Sequence, residues 1–195
     1  AQELPGPDGG HPPGPASLPT DSDAGYMVPT FNGYAIKIPS QYTRLGRSVF
    51  AGVNIMSIDL NNVTTIGGSA FSGSTIDSIN LSGVTSIGSS AFYNSSIKSI
   101  DLSGVTSIGA NAFQGCTSLT SVDIPEGVTT INANTFWGAT SLSSVTLPAS
   151  LNTIASSAFR YTTSLQQITF PGPNSTVDPP YDGVTSVGDH AFYQS

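Results

Sequence analysis

Charged side chains are scarce in this chain of 195 residues: Asp, Glu, Lys and Arg together make up 9%, against roughly a quarter in an average soluble domain. Five of them are Lys or Arg and the net charge is -7, which excludes an electrostatic grip on nucleic acid phosphates. A single cysteine excludes internal disulfides and any multi-cysteine metal site. No apolar run approaches the roughly 18 residues that cross a bilayer, so membrane insertion by a helix is not expected. The opening residues AQELPGPDGG hold no apolar signal core, and the expectation is that any export signal has already been removed or lies outside this sequence. Catalytic equipment is equally thin. The two histidines are His11 and His190, and the chain has no nucleophile elbow, phosphate-cradling loop or zinc spacing.

Small polar residues fill the gap: 30 Ser and 21 Thr, with 21 Gly beside them. Many β-branched and hydroxyl residues with little charge argue for a β-rich or repetitive chain rather than a helical bundle. The length suits one domain with a core of its own.

A repeat dominates the sequence. Phe stands at 50, 71, 92, 113, 136, 159 and 192, spaced by 21, 21, 21, 23, 23 and 33 residues. The frame around each is roughly V-T-x-I-G-x-x-A-F-x-x-x-x-L-x-x-I-x-L. One copy is Val84, Ile87, Ala91, Phe92, Ile97, Ile100 and Leu102; the next is Val105, Ile108, Ala112, Phe113, Leu119, Val122 and Ile124. The L-x-x-I-x-L segment alternates and reads as a short strand. The G-x-x-A-F segment reads as a tight turn entering one helical turn. Neither piece can bury its apolar face alone, so copies must stack about 4.8 Å apart into a continuous core. Its spines are the Phe column, the column Ile66, Ile87, Ile108, Ile131, Ile154, and the column Leu60, Leu81, Leu102, Ile124, Leu147.

Two stretches carry this pattern at 23 residues: SLTSVDIPEGVTTINANTF at 118–136 and SLSSVTLPASLNTIASSAF at 141–159. They resemble the BspA-type leucine-rich repeat, and the likeness extends over about residues 36–195. The 21-residue copies depart from that length and lack the Pro after the strand, which predicts tighter coils. The resemblance implies a leucine-rich-repeat solenoid, short parallel strands on one face and turns or single helical turns on the other. It also implies a scaffold used for binding and adhesion on exported proteins.

The expected organisation is a Pro/Gly-rich extended tail over 1–33 and a solenoid over 34–195, with an inserted loop at 172–183 and an incomplete last repeat. In the tail, Pro5, Pro7, Pro12, Pro13, Pro15 and Pro19 favour an extended linker. The run Asp21-Ser22-Asp23 lacks the further ligands that would close a calcium loop, so no metal site is expected there. His190 occupies a column that is otherwise Ser69, Ser90, Asn111, Asn134 and Ser157, and reads as a solvent-facing substitution. Cys116 stands where other copies have Ser74, Ser95, Ala139 and Thr162, and reads as a small buried space-filler. No catalytic residue, metal or cofactor is expected, and the chain is not expected to be an enzyme.

Between the last two inward apolar residues of each copy, one side chain must point outward. That column is Lys37, Asp59, Asn80, Asp101, Asp123, Thr146, Thr169. Asp101 and Asp123 are expected on adjacent strands, where like charges repel unless a cation or donor lies between them, and Asp59 is expected to pair with Lys37. The functional reading is a concave polar groove, with Asp59, Asn80, Asp101 and Asp123 as binding residues; a solvated strand face is the alternative. The insertion offers a second contact region, Tyr181 flanked by Asp178 and Asp182. Four N-x-S/T sequons, at Asn62, Asn80, Asn94 and Asn174, would accept glycans in a eukaryotic source.

The two ends look like fragments of one repeat. Residues 184–192 supply a turn and its Phe, and Tyr34-Ala35-Ile36-Lys37-Ile38-Pro39 supplies a strand. Joining one copy to the next would complete a coil through Ile36, Ile38, Val184, Val187 and Phe192, giving an open filament. No clear cap protects either end, although Tyr26, Met27, Val28 and Phe31 could fold over the first. The function this predicts is a non-enzymatic, extracellular or cell-surface structural or adhesion protein. Its partner is either another copy of itself, head to tail, or an extracellular protein or glycan bound at the concave face. An exported hydrolase is the distant alternative.

Overall fold

The computed structural model describes residues 2–4, 27–30, 33–170 and 184–195. Each repeat closes into one coil, and successive coils meet along three rows. The first row carries the L-x-x-I-x-L segments. It holds β2 (Met27–Thr30), β3 (Gly33–Lys37) and β5 (Ile55–Asp59), then β9 (Ser121–Asp123), β11 (Ser144–Thr146) and β13 (Gln167–Thr169). The second row carries the V-T-x-I segments. It holds β1 (Gln2–Leu4), β4 (Tyr42–Leu45), β6 (Thr65–Ile66), β7 (Ser86–Ile87) and β8 (Ser107–Ile108), then β10 (Thr130–Ile131), β12 (Thr153–Ile154) and β14 (Ser186–Val187). All pairs are parallel except the antiparallel pair β2–β3, and the ladders run in repeat register, Ile66 opposite Ile87 and Val122 opposite Val145, apart from a shift near the start of β1–β4 and of β3–β5.

The third row is the G-x-x-A-F turn, and here the expected single helical turn is replaced: there is no helix among the described residues. The residue two before each Phe is left-handed, with φ of 57° at Ser48, 58° at Ser69, 60° at Asn111 and 57° at His190. A left-handed residue in every copy breaks the helical run. The turns instead bond coil to coil: Phe71 N–H donates to Ala91 C=O at 2.7 Å, Phe92 to Ala112 at 2.8 Å and Phe113 to Thr135 at 2.9 Å. This also explains the Ser/Asn/His column, since small or hydrogen-bonding side chains tolerate that conformation.

The three predicted spines form the core. The rings of Phe50, Phe71, Phe92, Phe113, Phe136, Phe159 and Phe192 make one stack with centroids 5.2–5.6 Å apart. Phe71 through Phe159 are fully buried, as are the Ile66 and Leu81 columns. The residue before the Phe is small in the inner coils, Ala70, Ala91, Ala112, Thr135 and Ala158, all buried. Glycine follows Ile66, Ile87 and Ile108, where neighbouring backbones touch, while Asn132 and Ala155 follow Ile131 and Ile154. A Cβ on Gly67 would lie 2.5 Å from Leu45 O, and one on Gly109 2.5 Å from Ser89 N.

Two expectations need correction. First, the segment before residue 34 is not all unpacked tail. β2 covers the outer edge of β3, and β1 pairs with β4 at the outer edge of the second row, so the first coil does have a cap. Tyr26 and Phe31 lie outside the described residues. Second, the first row is not one sheet. The coils bearing Asn80 and Asp101 have no paired strand, only single links such as Lys98 N–H to Asp77 C=O at 2.9 Å. Both are 21-residue coils. Asp101 and Asp123 therefore do not sit on adjacent strands. The second row, which the sequence does not announce, breaks one coil later, between β8 and β10. There Asn132 stands in the glycine column and its side-chain Nδ2 reaches Ile108 C=O at 2.7 Å, taking the part that Gly109 N–H plays toward Ile87 C=O.

Candidate functional site

On the first-row side, the outward column is exposed as expected at Lys37, Asp59, Asn80, Asp101 and Asp123. Three of these residues are occupied locally. Asp59 Oδ1 accepts from Asn61 N–H at 3.0 Å, Asn80 Oδ1 from Ser82 N–H at 2.9 Å, and Asp101 Oδ1 from Ser103 N–H at 2.9 Å. Each is an Asx turn closing the corner of a 21-residue coil. The backbone N–H of Ser103 and then its hydroxyl hold the Asp101 carboxyl below the usual carboxylate range. The 23-residue coils close differently. Pro125 and Pro148 stand two residues after Asp123 and Thr146, and proline has no N–H to give. The Asp123 carboxylate is thus released from the duty that binds Asp59 and Asp101. Sequence reading missed this division, although its signal is present as D/N-L-N/S at 59–61, 80–82 and 101–103 against D-I-P at 123–125.

Around Asp123 the surface is a three-stranded patch, β9, β11 and β13, with Asp123 opposite Thr146 and Thr146 opposite Thr169. Ser121, Ser144 and Gln167 form the parallel outward row. Below it, Glu126 fastens two corners: its carboxylate accepts from Ala149 N–H at 2.9 Å and Ser150 N–H at 3.2 Å. Those bonds, the Ala149 one foremost, hold its carboxyl below the ordinary value. The register places Lys37 beside Asp59, but the short ion pair on this side is Lys98 with Asp77, at 2.7 Å and well exposed, worth little in stability.

The other sequence candidates are scattered. Cys116 is buried, its thiol donating to Phe92 C=O at 3.0 Å, and burial pushes it up to about 11, the surroundings of a small residue that fills core space. His190 is exposed on its left-handed turn. Among the sequons, Asn62 and Asn94 are exposed, with Asn62 Nδ2 donating to Ser40 C=O at 2.9 Å, and Asn80 is engaged in its Asx turn. Asn174, Asp178, Tyr181 and Asp182 lie outside the described residues. Of the residues predicted to join copies, Ile36 and Ile38 are inside the core at 5% and 2% exposure, the edge of their strand already paired with β2. Val187 is 58% exposed where its counterpart Ile154 is 3%, and Val184 and Phe192 are half-buried. No cluster of three or more His, Cys, Asp or Glu able to hold a metal occurs among the described residues, and they include no helix long and apolar enough to cross a membrane.

Stacked coils, two strand rows and a Phe spine define a leucine-rich-repeat solenoid. The chain belongs to the BspA type leucine-rich repeat family, whose model matches six copies over residues 30–136 and 85–195. Solved structures share the fold. A leucine-rich repeat protein of Eubacterium ventriosum is 21% identical with a TM-score of 0.59, over 83% of this chain and 58% of that one. The leucine-rich repeat protein of T. pallidum is 24% identical with a TM-score of 0.64, over 88% and 85%. A leucine rich cell surface protein of Faecalibacterium prausnitzii is 27% identical with a TM-score of 0.51, over 78% and 39%. This chain thus spans about half the length of several of the structures it resembles. No curated protein matches it in sequence.

Proposed function

We propose that the protein is a non-enzymatic recognition scaffold of the cell exterior that captures an extracellular protein or glycan on the polar patch of β9, β11 and β13. One observation carries this reading: Asp123 is the column's carboxylate relieved of turn closure, and it lies on a regular strand ladder among hydroxyl and amide side chains, Ser121, Gln167 and Thr169 exposed and Ser144 and Thr146 half-buried. Such a ladder presents hydrogen-bonding groups at fixed spacing without cost to the core. The Faecalibacterium prausnitzii relative, described as a cell surface protein, supports the exterior location. The test is capture by immobilised mucin and extracellular-matrix proteins. Asp123→Lys is expected to lower capture at least tenfold with an unchanged melting curve, while Asp101→Asn, which preserves the Asx turn, leaves capture intact. Capture that survives Asp123→Lys would move the site off this patch.

A second reading, head-to-tail assembly, draws on the exposed Val187 of the last coil. It requires β1 and β2 to leave the opposite end. Electron microscopy of the chain beside a variant lacking residues 1–32 separates the cases: filaments in the shortened protein support assembly, and monomers in both remove it.

A further inference from the structure

The turn row carries a feature that the patch on the first row does not use. The residues immediately after the spine Phe begin small, with Ala51 and Ser72, and end as Trp137, Arg160 and Tyr193. The next column is left-handed in every copy and holds Gly52 at φ 70°, Gly73 at 66°, Gly115 at 71° and Gly138 at 71°. Tyr161 stands in that column at φ 61°, a conformation disfavoured for a bulky side chain. Its ring is set edge-on to Trp137, with centroids 5.5 Å apart, and to Tyr193 at 6.1 Å. The Arg160 guanidinium lies over both tyrosines, 4.8 Å from the Tyr161 centroid and 5.1 Å from that of Tyr193.

Arg160 is held but not neutralised. Of its guanidinium nitrogens, Nη2 donates to Tyr161 Oη at 3.0 Å, while Nε is shielded and has no partner. No carboxylate pairs with it among the described residues. A fixed, unpaired cation on a chain of net charge -7 is a site for an anion, and the planar fork of arginine suits a carboxylate. The rings around it supply flat apolar faces beside polar edges. Backbone recognition is not on offer, because the turn N–H groups are spent between coils: Gly138 to Arg160 C=O at 2.8 Å, Phe159 to Ala191 C=O at 2.7 Å, Tyr161 to Tyr193 C=O at 3.0 Å. An extended peptide that binds by adding a strand finds these N–H groups already taken.

We infer that Trp137, Arg160, Tyr161 and Tyr193 form a second binding site, for a carboxylated sugar ring such as a uronic acid residue of an acidic polysaccharide. The ring's C–H face stacks on an aromatic side chain while its carboxylate meets the outer edge of the Arg160 guanidinium. The strained Tyr161 is retained because it both shapes the platform and orients that guanidinium.

Calorimetric titration with a galacturonic acid tetramer tests this, with a neutral galactose tetramer and dextran sulfate as comparisons. The uronate is expected to bind at least tenfold more tightly than the neutral tetramer, and Arg160→Gln to lose at least tenfold in affinity. Tyr161→Gly restores the residue that Gly115 and Gly138 use, so its coil closes without strain; it is expected to keep its melting curve and lose binding. Asp123→Lys is expected to leave uronate binding unchanged, which separates this site from the first-row patch. Absence of uronate binding, equal binding by Arg160→Gln, or equal binding of dextran sulfate through charge alone would each overturn the inference.

Discussion

Replacing Phe113 with alanine is expected to destabilise the protein by about 3–5 kcal/mol, lowering the thermal midpoint by roughly 6–20 °C. The ring is fully buried between Phe92 at 5.4 Å and Phe136 at 5.5 Å, tilted by only 7° and 5° from them. The hole left behind cannot collapse along the stack. Coil spacing is fixed on either side by Phe92 N–H to Ala112 C=O at 2.8 Å and Phe113 N–H to Thr135 C=O at 2.9 Å. Urea unfolding measures the effect. A loss below about 1 kcal/mol, the scale of a surface change, would mean that the Phe column is not the spine of the core.

The opposite manipulation, adding one carbon where coils touch, is expected to cost about 1–3 kcal/mol through overpacking. In Gly109→Ala the new Cβ would lie 2.5 Å from Ser89 N and 2.7 Å from Gly88 C. Both are backbone atoms in hydrogen-bonded coils and cannot swing aside as a side chain would. Gly104→Ala is the matched control, since its Cβ would meet nothing closer than Val84 O at 3.4 Å. Thermal melts of the two variants side by side decide the matter: the Gly109 variant should melt well below the parent and the Gly104 variant close to it. Equal midpoints would mean that the coils are not in backbone contact along the glycine column.

The core was legible in the sequence because a stacked coil places the same side chain in the same environment each time. Phe71, Phe92 and Phe113 could therefore be assigned to one spine by spacing alone. The second strand row was not read, since Thr65–Ile66 or Ser86–Ile87 is too short for alternation to show; its strands exist through pairing with neighbours. Between a turn and a single helical turn the sequence leaves the choice open, because Ala-Phe does not reveal the left-handed residue before it, although recurring Ser and Asn at 69, 90, 111 and 134 are what such a backbone selects. For the site, exposure of the Asp59 to Asp123 column was correctly anticipated. What escaped is that Asp59, Asn80 and Asp101 serve the corners of their own coils, a local hydrogen bond that depends on corner length and on whether proline follows. The Arg160 patch escaped because it joins residues 137, 160, 161 and 193, and nothing in a repeat frame marks the positions where copies differ as belonging together.

The offset between the two breaks has a consequence for cooperativity. The coil of Phe113 contributes β8 to the ladder behind it and β9 to the ladder ahead. It works as a lap joint, overlapping the 21-residue and 23-residue stretches instead of abutting them. Had both rows broken at one level, a single interface would have been left with the turn bonds and ring stacking alone. In a solenoid whose stability is a sum of nearest-neighbour terms, that interface would open first and the molecule would melt as two halves. With the breaks staggered, the Phe92–Phe113 step keeps the β7–β8 ladder and the Phe113–Phe136 step keeps β9–β11. The change of coil length is absorbed without creating a plane of cleavage.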